Sequence, residues 1–471
     1  MIEFGTGGWR AEIGKEFHME NVQKVGQAMA NRIVAEGRQD TPVIVGYDRR
    51  FLSAEAAHWL AEMLAGQGIT VWFMRRSVPT PLVMHTVLKQ KLYYGMEVTA
   101  SHNPSSYNGI KVIVEEGRDA PTEFTESFQP AVNALSKGDL TPMDFEEAVE
   151  KGLIVYQNSP FNDFLDNILE VLDTKAIRDK GPRILFDPMH GSSTYPLMAL
   201  FYTARCTVDL VNDDKDAYFG GKMPAPTAVT LQELSQRVVA GGYDLGIGID
   251  GDGDRLGIID SDGTYVDAND ILLLLYYYLH EHKGWKGAVV RNLSTTHLLD
   301  RLAKSLGEEC YEVPVGFKYI SSKIDEVDAV LGGESSGGLT VRGHIHGKDS
   351  VYAAVLFVEM LCVTGKSAGQ LVAELKEKLG TLVMETENLS FHPARKGEIL
   401  KAVMEDKLVP QFEAPIVRVS YMDGCKVYFE DDSFVSCRFS GTEPLLRIFA
   451  EAETSQLAKS YIKPWREMLH I

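Results

Sequence analysis

Three aspartates alternate with glycines at residues 250–255, Asp-Gly-Asp-Gly-Asp-Arg, directly after the apolar stretch 245–249. Carboxylate oxygens are preferred ligands of Mg²⁺ and Ca²⁺, and the glycines let the backbone turn tightly, so the segment predicts a divalent cation site. An EF-hand calcium loop shares this opening, but Arg255 stands where that loop needs glycine and Ser261 where it needs glutamate. The other alternative, a solvated acidic turn, leaves three like charges on one bend without a compensating cation.

A second polar segment, residues 99–111, brings together a hydroxyl, an imidazole and an amine on Ser101, His102 and Lys111. A serine hydroxyl is a poor nucleophile until a base or a metal helps it to lose its proton. A phosphoserine at this position would add an anionic ligand to a metal held by three carboxylates. Taken alone, the segment fits an ordinary turn equally well, and the aspartate loop is what favours a chemical role.

A third segment, residues 332–338, is rich in glycine and carries Glu334 and Ser336, an acceptor and a donor suited to sugar hydroxyls. It also matches the G-x-S-x-G elbow of α/β-hydrolases, which leads directly into a helix. Here the chain continues instead through Thr340 and Gly343, and the sequence contains no His-Gly-Gly-Gly segment for an oxyanion hole. A hydrolase is therefore disfavoured.

The tail of the chain combines guanidinium groups, hydroxyls and a glycine at Arg438, Ser440, Gly441, Thr442 and Arg447. This combination suits a phosphate dianion, which accepts paired hydrogen bonds from arginine and further ones from hydroxyl and backbone groups. A β-turn with a solvated arginine is the alternative. Arg10, which follows a glycine-rich stretch, is a further cation near the start of the chain.

Composition narrows the class of protein. The chain has 471 residues with 45% hydrophobic content, which is enough for several globular domains. Its formal charge of −19 argues against nucleic acid as a partner. Five scattered cysteines indicate reduced thiols, and the longest apolar run, residues 271–279, is too short to span a membrane. With no signal peptide at the start, we expect a cytoplasmic protein without a membrane partner.

An order of strands and helices recurs three times and ends each time in one of the polar loops. The last strands of the three repeats are expected at 94–99, 245–249 and 329–331, followed by the serine, aspartate and Glu334 loops. Ligands of open α/β sheets bind beyond the carboxyl ends of strands, so the three loops are expected to share one function. A helical stretch at 351–379 and alternating strands after residue 385 complete the pattern. The sequence predicts three α/β domains, 1–150, 151–262 and 263–380, and an α+β domain, 381–471.

These segments resemble the α-D-phosphohexomutases, the superfamily of phosphoglucomutases and phosphomannomutases, and most of all a bacterial phosphoglucomutase. Five motifs occur in the family's order across nearly the whole chain: the opening loop with Arg10, the serine loop, the aspartate loop, the Glu334 loop and the tail loop. The resemblance implies three α/β domains with mixed sheets and a TATA-box-binding-protein-like α+β domain around a central cleft.

The resemblance also implies a role for each motif. Ser101 would carry a phosphoryl group and bind Mg²⁺ together with Asp250, Asp252 and Asp254. Lys111, assisted by His102, would transfer protons, with Arg10 and Arg255 as cations beside the phosphoryl group. Contacts to the sugar and its phosphate would come from Gly316, Lys318, Glu334, Ser336, Lys348, Arg438, Ser440, Gly441, Thr442 and Arg447.

The implied reaction interconverts hexose 1-phosphate and hexose 6-phosphate, with glucose 1,6-bisphosphate as intermediate and activator. The Glu334 loop resembles the glucomutase side of the family more than the phosphoglucosamine branch, whose loop reads G-E-Q-S-G-H, so glucose is the expected sugar. Phosphomannomutase and phosphoglucosamine mutase remain open, because Ala11, Ser335 and Ser350 depart from the family pattern. A metal-dependent sugar phosphatase and a non-catalytic sugar-phosphate binding protein are the alternatives from other classes. The oligomeric state is left open.

Overall fold

Four β-sheets with flanking helices make up the chain. The computed structural model describes residues 1–5, 7–439 and 445–471. These residues form two compact units, residues 1–271 with 336–369 and residues 272–335 with 370–471. The limits of the four predicted domains stay a prediction.

The first sheet of the first unit has eight strands. In chain order the strands are β1 Phe4–Gly5, β2 Gly8–Glu12, β3 Val43–Tyr47, β4 Val71–Met74, β5 Tyr94–Val98, β6 Tyr107–Val114, β7 Arg118–Asp119 and β8 Ile154–Gln157. Their order is β1-β2-β6-β5-β3-β4-β8, with β7 paired to β6. The strands β8, β4, β3 and β5 run parallel, and β6 and β2 run antiparallel to their neighbours. The helices are α1 Met19–Ala35, α2 Ser53–Gly66, α3 Thr80–Lys89, α4 Thr122–Ala134 and α5 Phe145–Glu150.

The second sheet of this unit repeats the plan with five strands. Its strands are β9 Arg183–Asp187, β10 Thr207–Leu210, β11 Leu245–Ile249, β12 Leu256–Asp260 and β13 Tyr265–Val266. The helices of this part are α6 Ser159–Val171, α7 Thr174–Lys180, α8 Thr194–Thr203 and α9 Gln232–Gly241. The order is β10-β9-β11-β12-β13, parallel up to β11 and antiparallel beyond it. Every residue of β11 is buried, as expected for an apolar strand covered on both faces. The aspartate loop therefore starts from a rigid strand.

The next helix is α10 Ala268–Glu281; the apolar run 271–279 with Asp270 before it predicts a cap at Asp270, and that prediction is wrong. The carboxylate of Asp267, not Asp270, accepts the amides of Asn269 and Asp270 at 2.7 and 3.0 Å. Asp270 stands inside the first turn, because capping requires the residue whose side chain reaches the free amides ahead of it.

In the second unit, three parallel strands form the order β15-β14-β16, where β14 is Val289–Asn292, β15 Cys310–Val313 and β16 Leu331–Gly333. Helices α11 Leu298–Leu306 and α12 Phe317–Val327 connect them. Next in the chain, β17 Leu339–Val341 and α13 Ser350–Thr364 belong to the first unit, and α14 is Ala368–Leu379. The helical stretch predicted at 351–379 is thus two helices, because α13 ends at Gly365 in the left-handed conformation, φ 68°.

The last domain is a five-stranded antiparallel sheet in the order β18-β22-β21-β20-β19. Its strands are β18 Val383–Ser390, β19 Ile416–Ser420, β20 Cys425–Phe429, β21 Phe434–Phe439 and β22 Leu445–Ala452, and its helices are α15 Lys396–Leu400 and α16 Ser455–Leu469. The sequence pattern predicts strands at 416–419, 426–429 and 446–451, which correspond to β19, β20 and β22, and it misses β18 and β21. The prediction of three α/β domains followed by an α+β domain is confirmed.

A buried charge cluster joins this last domain to the sheet that contains β14 and β15. The carboxylate of Glu312 accepts from Arg291 Nη1 at 2.7 Å and from Lys426 Nζ at 2.6 Å, and the hydroxyl of Tyr428 also donates to it. Burial alone would raise the pKa of Glu312, but the surrounding donors hold it well below its ordinary value. Paired and hydrogen-bonded charges of this kind fix one docking geometry, because each partner left alone would be a buried unpaired charge.

Within the described residues, no single helix has the length and apolar character needed to cross a membrane. One pair of successive helices, Ser350–Thr364 and Ala368–Leu379, would meet that test only if the two were counted together.

Candidate active site

The aspartate loop is the tight turn that joins β11 to the antiparallel β12. Asp250 organises it, because one carboxylate oxygen, Oδ1, accepts the backbone amides of Asp254 and Arg255 at 2.9 and 3.0 Å. Gly253 has φ 79°, and a Cβ there would lie 2.5 Å from Pro79 Cβ. Glycine is therefore required at this position both by the backbone conformation and by the close approach of Pro79.

The three carboxylates of this loop fit a divalent cation. All three aspartates are buried, and their ligand atoms lie within 4.8 Å of one another. In the described part of the chain, one oxygen of each has no hydrogen-bond partner: Asp250 Oδ2, Asp252 Oδ1 and Asp254 Oδ1. Burial, together with the two neighbouring carboxylates, raises the pKa of Asp250 well above its ordinary value. Buried, converging, unpartnered carboxylate oxygens are the donor set that Mg²⁺ takes in proteins.

Two lysines and a threonine bind the outer oxygens of the triad. Lys111, on β6, donates to Asp252 Oδ2 at 2.7 Å and to Asp254 Oδ2 at 3.0 Å, and Lys348 Nζ lies 2.9 Å from the same Asp254 oxygen. Thr80, the first residue of α3, donates to Asp252 Oδ2 at 2.8 Å. Burial alone would lower the pKa of Lys111, but the two aspartates raise it above its ordinary value. At neutral pH the lysine is therefore an ammonium.

The serine loop packs directly against the aspartate loop. A Cβ on Gly251 would lie 3.2 Å from the carbonyl oxygen of Ser101, so the two backbones nearly touch. Ser101 is buried and has φ 53°, a left-handed conformation that costs a non-glycine residue about 1–3 kcal/mol. Its amide donates to Thr99 Oγ1 at 2.8 Å. The loop thus presents its serine in a strained, fixed position.

Arg50 holds that strained loop in place. Its guanidinium donates to four backbone carbonyls, those of Ser101, Asn103, Pro104 and Tyr107. Its Nε lies 3.3 Å from Asp48 Oδ2, and both side chains are fully buried. Asp48 in turn accepts from the hydroxyls of Ser53 and Thr99 at 2.6 and 2.7 Å. A single buried arginine therefore sets the path of the loop.

His102 and two arginines line the same loop. His102 Nδ1 lies 3.2 Å from Ser101 Oγ, and Arg10 Nη1 donates to Asn103 Oδ1 at 3.2 Å. Arg255, directly after the triad, has its Nε 3.8 Å from Asp254 Oδ1. Burial, with the positive charges of Arg255 and Arg10, lowers the pKa of His102 to about 2. The imidazole is therefore neutral at physiological pH.

In the second unit, Glu334 and Gly316 are brought together. Glu334 follows β16, and its Oε1 accepts from Asn292 Nδ2 at 3.1 Å and from the Gly316 amide at 3.3 Å. Gly316 has φ 132° and precedes α12, whose second residue is Lys318. Because both donors bind Oε1, Glu334 is held in one orientation.

Arg438 and Arg447 face each other across the β21–β22 ladder. Arg438 Nε donates to Asp423 Oδ2 at 2.9 Å, and that same oxygen accepts the Val315 amide at 3.0 Å. Asp423 therefore ties Arg438 to the segment that contains Gly316. Ser440, Gly441 and Thr442 lie outside the described residues. Ser336 is exposed in the first unit, next to Gly337, whose carbonyl accepts the Leu256 amide at 3.0 Å.

Sequence reasoning did not single out Arg50, Thr80 or Asn292. Arg50 and Asn292 stand at the carboxyl ends of β3 and β14, where ligand-binding residues of α/β sheets concentrate, and that position is the signal that could have found them. Thr80 begins a helix and gave no signal, because its partner Asp252 is 172 residues away.

The chain matches three domains of one family. Residues 1–138, 162–263 and 267–379 match the phosphoglucomutase/phosphomannomutase alpha/beta/alpha domains I, II and III. A phosphoglucomutase/phosphomannomutase of Thermococcus kodakarensis is 28% identical, over 98% of this chain and 96% of that protein. A probable phosphoglucosamine mutase of Methanosphaera stadtmanae is also 28% identical, over 99% and 98% of the two chains.

Comparison with solved structures agrees. The crystal structure of a putative phosphomannomutase from Thermus thermophilus is similar with a TM-score of 0.86 and 26% identity, over 100% of this chain and 99% of that one. Fold, domain families and relatives lead to one conclusion: the chain belongs to the α-D-phosphohexomutase superfamily and is an intramolecular phosphotransferase of the phosphoglucomutase/phosphomannomutase type.

Proposed function

We propose that Ser101 carries the phosphoryl group that this enzyme exchanges with hexose phosphates. The observation that carries the proposal is the packing of the Ser101 backbone on Gly251, which sets the serine loop directly beside three carboxylates with unpartnered oxygens. We propose that Asp250, Asp252 and Asp254 hold Mg²⁺ there. When bound, the ion would neutralise charge on the phosphoryl oxygens.

The surrounding side chains suit a transfer that depends on position and charge. Phosphoryl transfer needs its reacting oxygens in line and its spread-out negative charge neutralised. Arg50 fixes the backbone of Ser101, and we propose that Arg10 and Arg255 neutralise charge near its oxygen. In the proposed cycle the phosphoserine phosphorylates the free hydroxyl of a hexose phosphate, and the other phosphate of the resulting 1,6-bisphosphate then returns to Ser101.

Lys111 and His102 are suited to different parts of the proton transfer. Lys111 is an ammonium beside the triad, so it can protonate a leaving oxygen and, in the reverse direction, recover that proton. His102 holds a proton weakly, with a pKa of about 2, and its Nδ1 faces Ser101 Oγ. We therefore propose Lys111 as the main proton-transfer group and His102 as the residue that orients the serine.

Further side chains are proposed to contact the rest of the substrate. Glu334, held by Asn292 and the Gly316 amide, is proposed to accept hydrogen bonds from sugar hydroxyls, with Ser336, Lys318 and Lys348 as further contacts. The paired Arg438 and Arg447, with Ser440, Gly441 and Thr442, are proposed to bind the phosphate that is not reacting.

For the sugar, the relatives support mannose and glucosamine more than the glucose expected from the Glu334 loop. Their names are phosphoglucomutase/phosphomannomutase, probable phosphoglucosamine mutase and putative phosphomannomutase. We therefore propose mannose phosphate as the first candidate and glucosamine phosphate as the second. Glucose 1,6-bisphosphate is proposed as the activator, and a cytoplasmic location remains a prediction.

The test compares the 1-phosphates of mannose, glucosamine and glucose at equal concentration, with Mg²⁺ and a trace of bisphosphate. ³¹P NMR follows both the 6-phosphate product and inorganic phosphate. We expect 6-phosphate formation with the highest kcat/KM for mannose, and no turnover in Ser101→Ala. Highest kcat/KM for glucose would reject the sugar proposal, and release of inorganic phosphate in place of 6-phosphate would indicate a phosphatase. Intact-mass measurement should show a phosphate adduct on Ser101 of the wild type.

A further inference from the structure

A cavity of about 410 Å³ lies in the first unit, and none of the three aspartates of the triad lines it. The carboxyl ends of β3 and β4 contribute Arg49, Arg76 and Ser77 to its wall. The segment between β9 and α8 contributes Ser192, and α8 contributes Thr194, Tyr195, Met198 and Tyr202. Its size falls within the range of small-molecule sites, about 300–1,000 Å³.

The cavity is positive in a strongly acidic protein. The chain carries a formal charge of −19, yet the wall has two guanidinium groups and no carboxylate. Arg49 Nη1 donates to the Asp213 carbonyl at 2.7 Å, which leaves its other donors available. Within the described ranges, Arg76 forms no hydrogen bond or ion pair, and its guanidinium lies 4.4 Å from the centroid of the Tyr195 ring. The carboxylates of Asp213 and Asp214 lie close enough to act on the charge of Arg49, so Arg76 is the stronger candidate for binding an anion.

Two further features of the cavity wall indicate which other groups a ligand would carry. The Thr194 Oγ1 atom in the wall is buried and, in the described part of the chain, has no hydrogen-bond partner. The Tyr202 ring is 57% exposed and offers an apolar face to a planar group. The Tyr195 ring is 50% exposed, but the Arg76 guanidinium lies over it and Phe161 packs beside it with ring centroids 4.6 Å apart. A second cavity of about 340 Å³ shares Arg76 and Tyr195 and adds Arg75, Asn158 and Phe161. The walls thus combine cations for a phosphate with aromatic faces for a ring.

We propose that this cavity binds a phosphorylated small molecule with a planar ring, of the nucleoside monophosphate class. The phosphate would lie between Arg49 and Arg76, within reach of the Thr194 hydroxyl, and the ring against the tyrosines. The proposal concerns a site separate from the aspartate triad and does not depend on the proposed reaction.

The walls of the cavity lead directly to both loops of the site. Ser192 donates through its amide and its hydroxyl to the Gly251 carbonyl, at 3.0 and 3.1 Å. The segment that starts at Arg76 reaches Thr80, whose amide and hydroxyl bind Asp252 at 2.9 and 2.8 Å. Arg49 precedes Arg50, which holds the Ser101 carbonyl. A ligand here would touch three segments that position the loops, so its binding would be coupled to events at the triad.

The test is isothermal titration of the full-length enzyme with AMP, and separately with inorganic phosphate and with adenosine, each to millimolar concentration. We compare the wild type with Arg49→Gln, Arg76→Gln and the double variant. Arg178→Gln is the matched control, because Arg178 is exposed on α7 and does not line the cavity. Tm and sugar-phosphate turnover without AMP show that each variant is folded.

We expect saturable AMP binding that weakens about tenfold for each guanidinium removed and is unchanged in Arg178→Gln. AMP should bind more tightly than phosphate, and adenosine should bind weakly. Equal AMP affinity in the wild type and the double variant would place the ligand elsewhere and overturn the proposal. Absence of saturable binding by wild type would also overturn it, and phosphate binding as tightly as AMP would reject the ring contact. Arg76→Gln alone keeps the test valid if the double variant does not fold.

Discussion

Replacing Arg50 by methionine should release the serine loop. Methionine keeps much of the apolar stem but removes every donor. Four backbone carbonyls, from Ser101 to Tyr107, lose their bonds to the guanidinium, and Asp48 loses its ion pair. Arg50 is only 2% exposed, so water cannot replace these contacts without opening the fold.

The size of the effect follows from burial. Removing one partner from a buried charge network costs about 3–5 kcal/mol, because the other charge is left uncompensated. The loop also holds Ser101 at φ 53°, a strain of about 1–3 kcal/mol that relaxes once the carbonyls are free. Ser101, the proposed carrier of the phosphoryl group, would then be displaced, and a shift of about 1 Å lowers a rate about a hundredfold. We therefore expect losses of both stability and turnover.

Urea unfolding monitored by intrinsic fluorescence gives the stability change, and the mutase assay with mannose 1-phosphate gives the rate. Arg49→Met, at the neighbouring arginine, is the control. In the described part of the chain the Arg49 side chain donates one hydrogen bond, to the Asp213 carbonyl, so its loss should change stability by about 1 kcal/mol or less. If the free energy of unfolding of Arg50→Met is within about 1 kcal/mol of that of the wild type, the buried network does not hold the loop. Normal stability with normal turnover would refute the reasoning altogether.

Three other predictions use the same site. Asp252→Asn removes a carboxylate with an unpartnered oxygen, so the variant should lose the rise in Tm that Mg²⁺ gives the wild type. Its turnover should be about a thousandfold slower. An unchanged effect of Mg²⁺ on Tm would contradict the metal assignment. Burial raises the pKa of Glu97, so the folded state keeps a proton that the unfolded state releases, and stability falls as pH rises above about 4.3. Urea unfolding is measured from about pH 5 to pH 8 for the wild type and for Glu97→Gln. As pH rises, the free energy of unfolding of the wild type should fall more steeply than that of the variant, by up to about 1.4 kcal/mol per pH unit. Parallel plots of unfolding free energy against pH would reject this prediction. Burial lowers the pKa of His102 to about 2, so in enzyme without phosphate on Ser101 its NMR chemical shifts should not change between about pH 5 and pH 8. A titration midpoint near the ordinary value, about 6.5, would show that the ring is not desolvated.

The aspartate loop illustrates what local sequence can predict. Its spacing, its glycines and the apolar strand before it are all contained in about ten residues, and each acts through short-range geometry. The structure shows the three aspartates buried together at the end of β11, as the pattern predicted. The positive φ of Gly253 likewise follows from the turn.

Several helices and strands were less predictable for physical reasons. Strands β18 and β21 were missed because polar residues, Glu385, Glu387 and Asn388 in β18 and Ser436 and Arg438 in β21, weaken the strand pattern until neighbouring strands pair with them. The break between α13 and α14 falls at Gly365; a glycine at this point, followed by Ser367, signals the end of one helix and the start of another, and the prediction of one stretch overlooked it. The cap of α10 required knowing which of two nearby aspartates, Asp267 or Asp270, preceded the first turn.

By itself the sequence determined the residue types and the order of the motifs: a serine beside a histidine, three carboxylates that alternate with glycines, a glycine-rich loop with a glutamate, and two arginines in the last domain. Only the tertiary structure decided which distant groups meet. Lys111 binds Asp252 across 141 residues, Thr80 binds it across 172, and Arg50 reaches the carbonyl of Ser101 across 51. Such contacts depend on how sheets and loops pack rather than on spacing along the chain. Their strength comes from the burial that excludes water once that packing is complete.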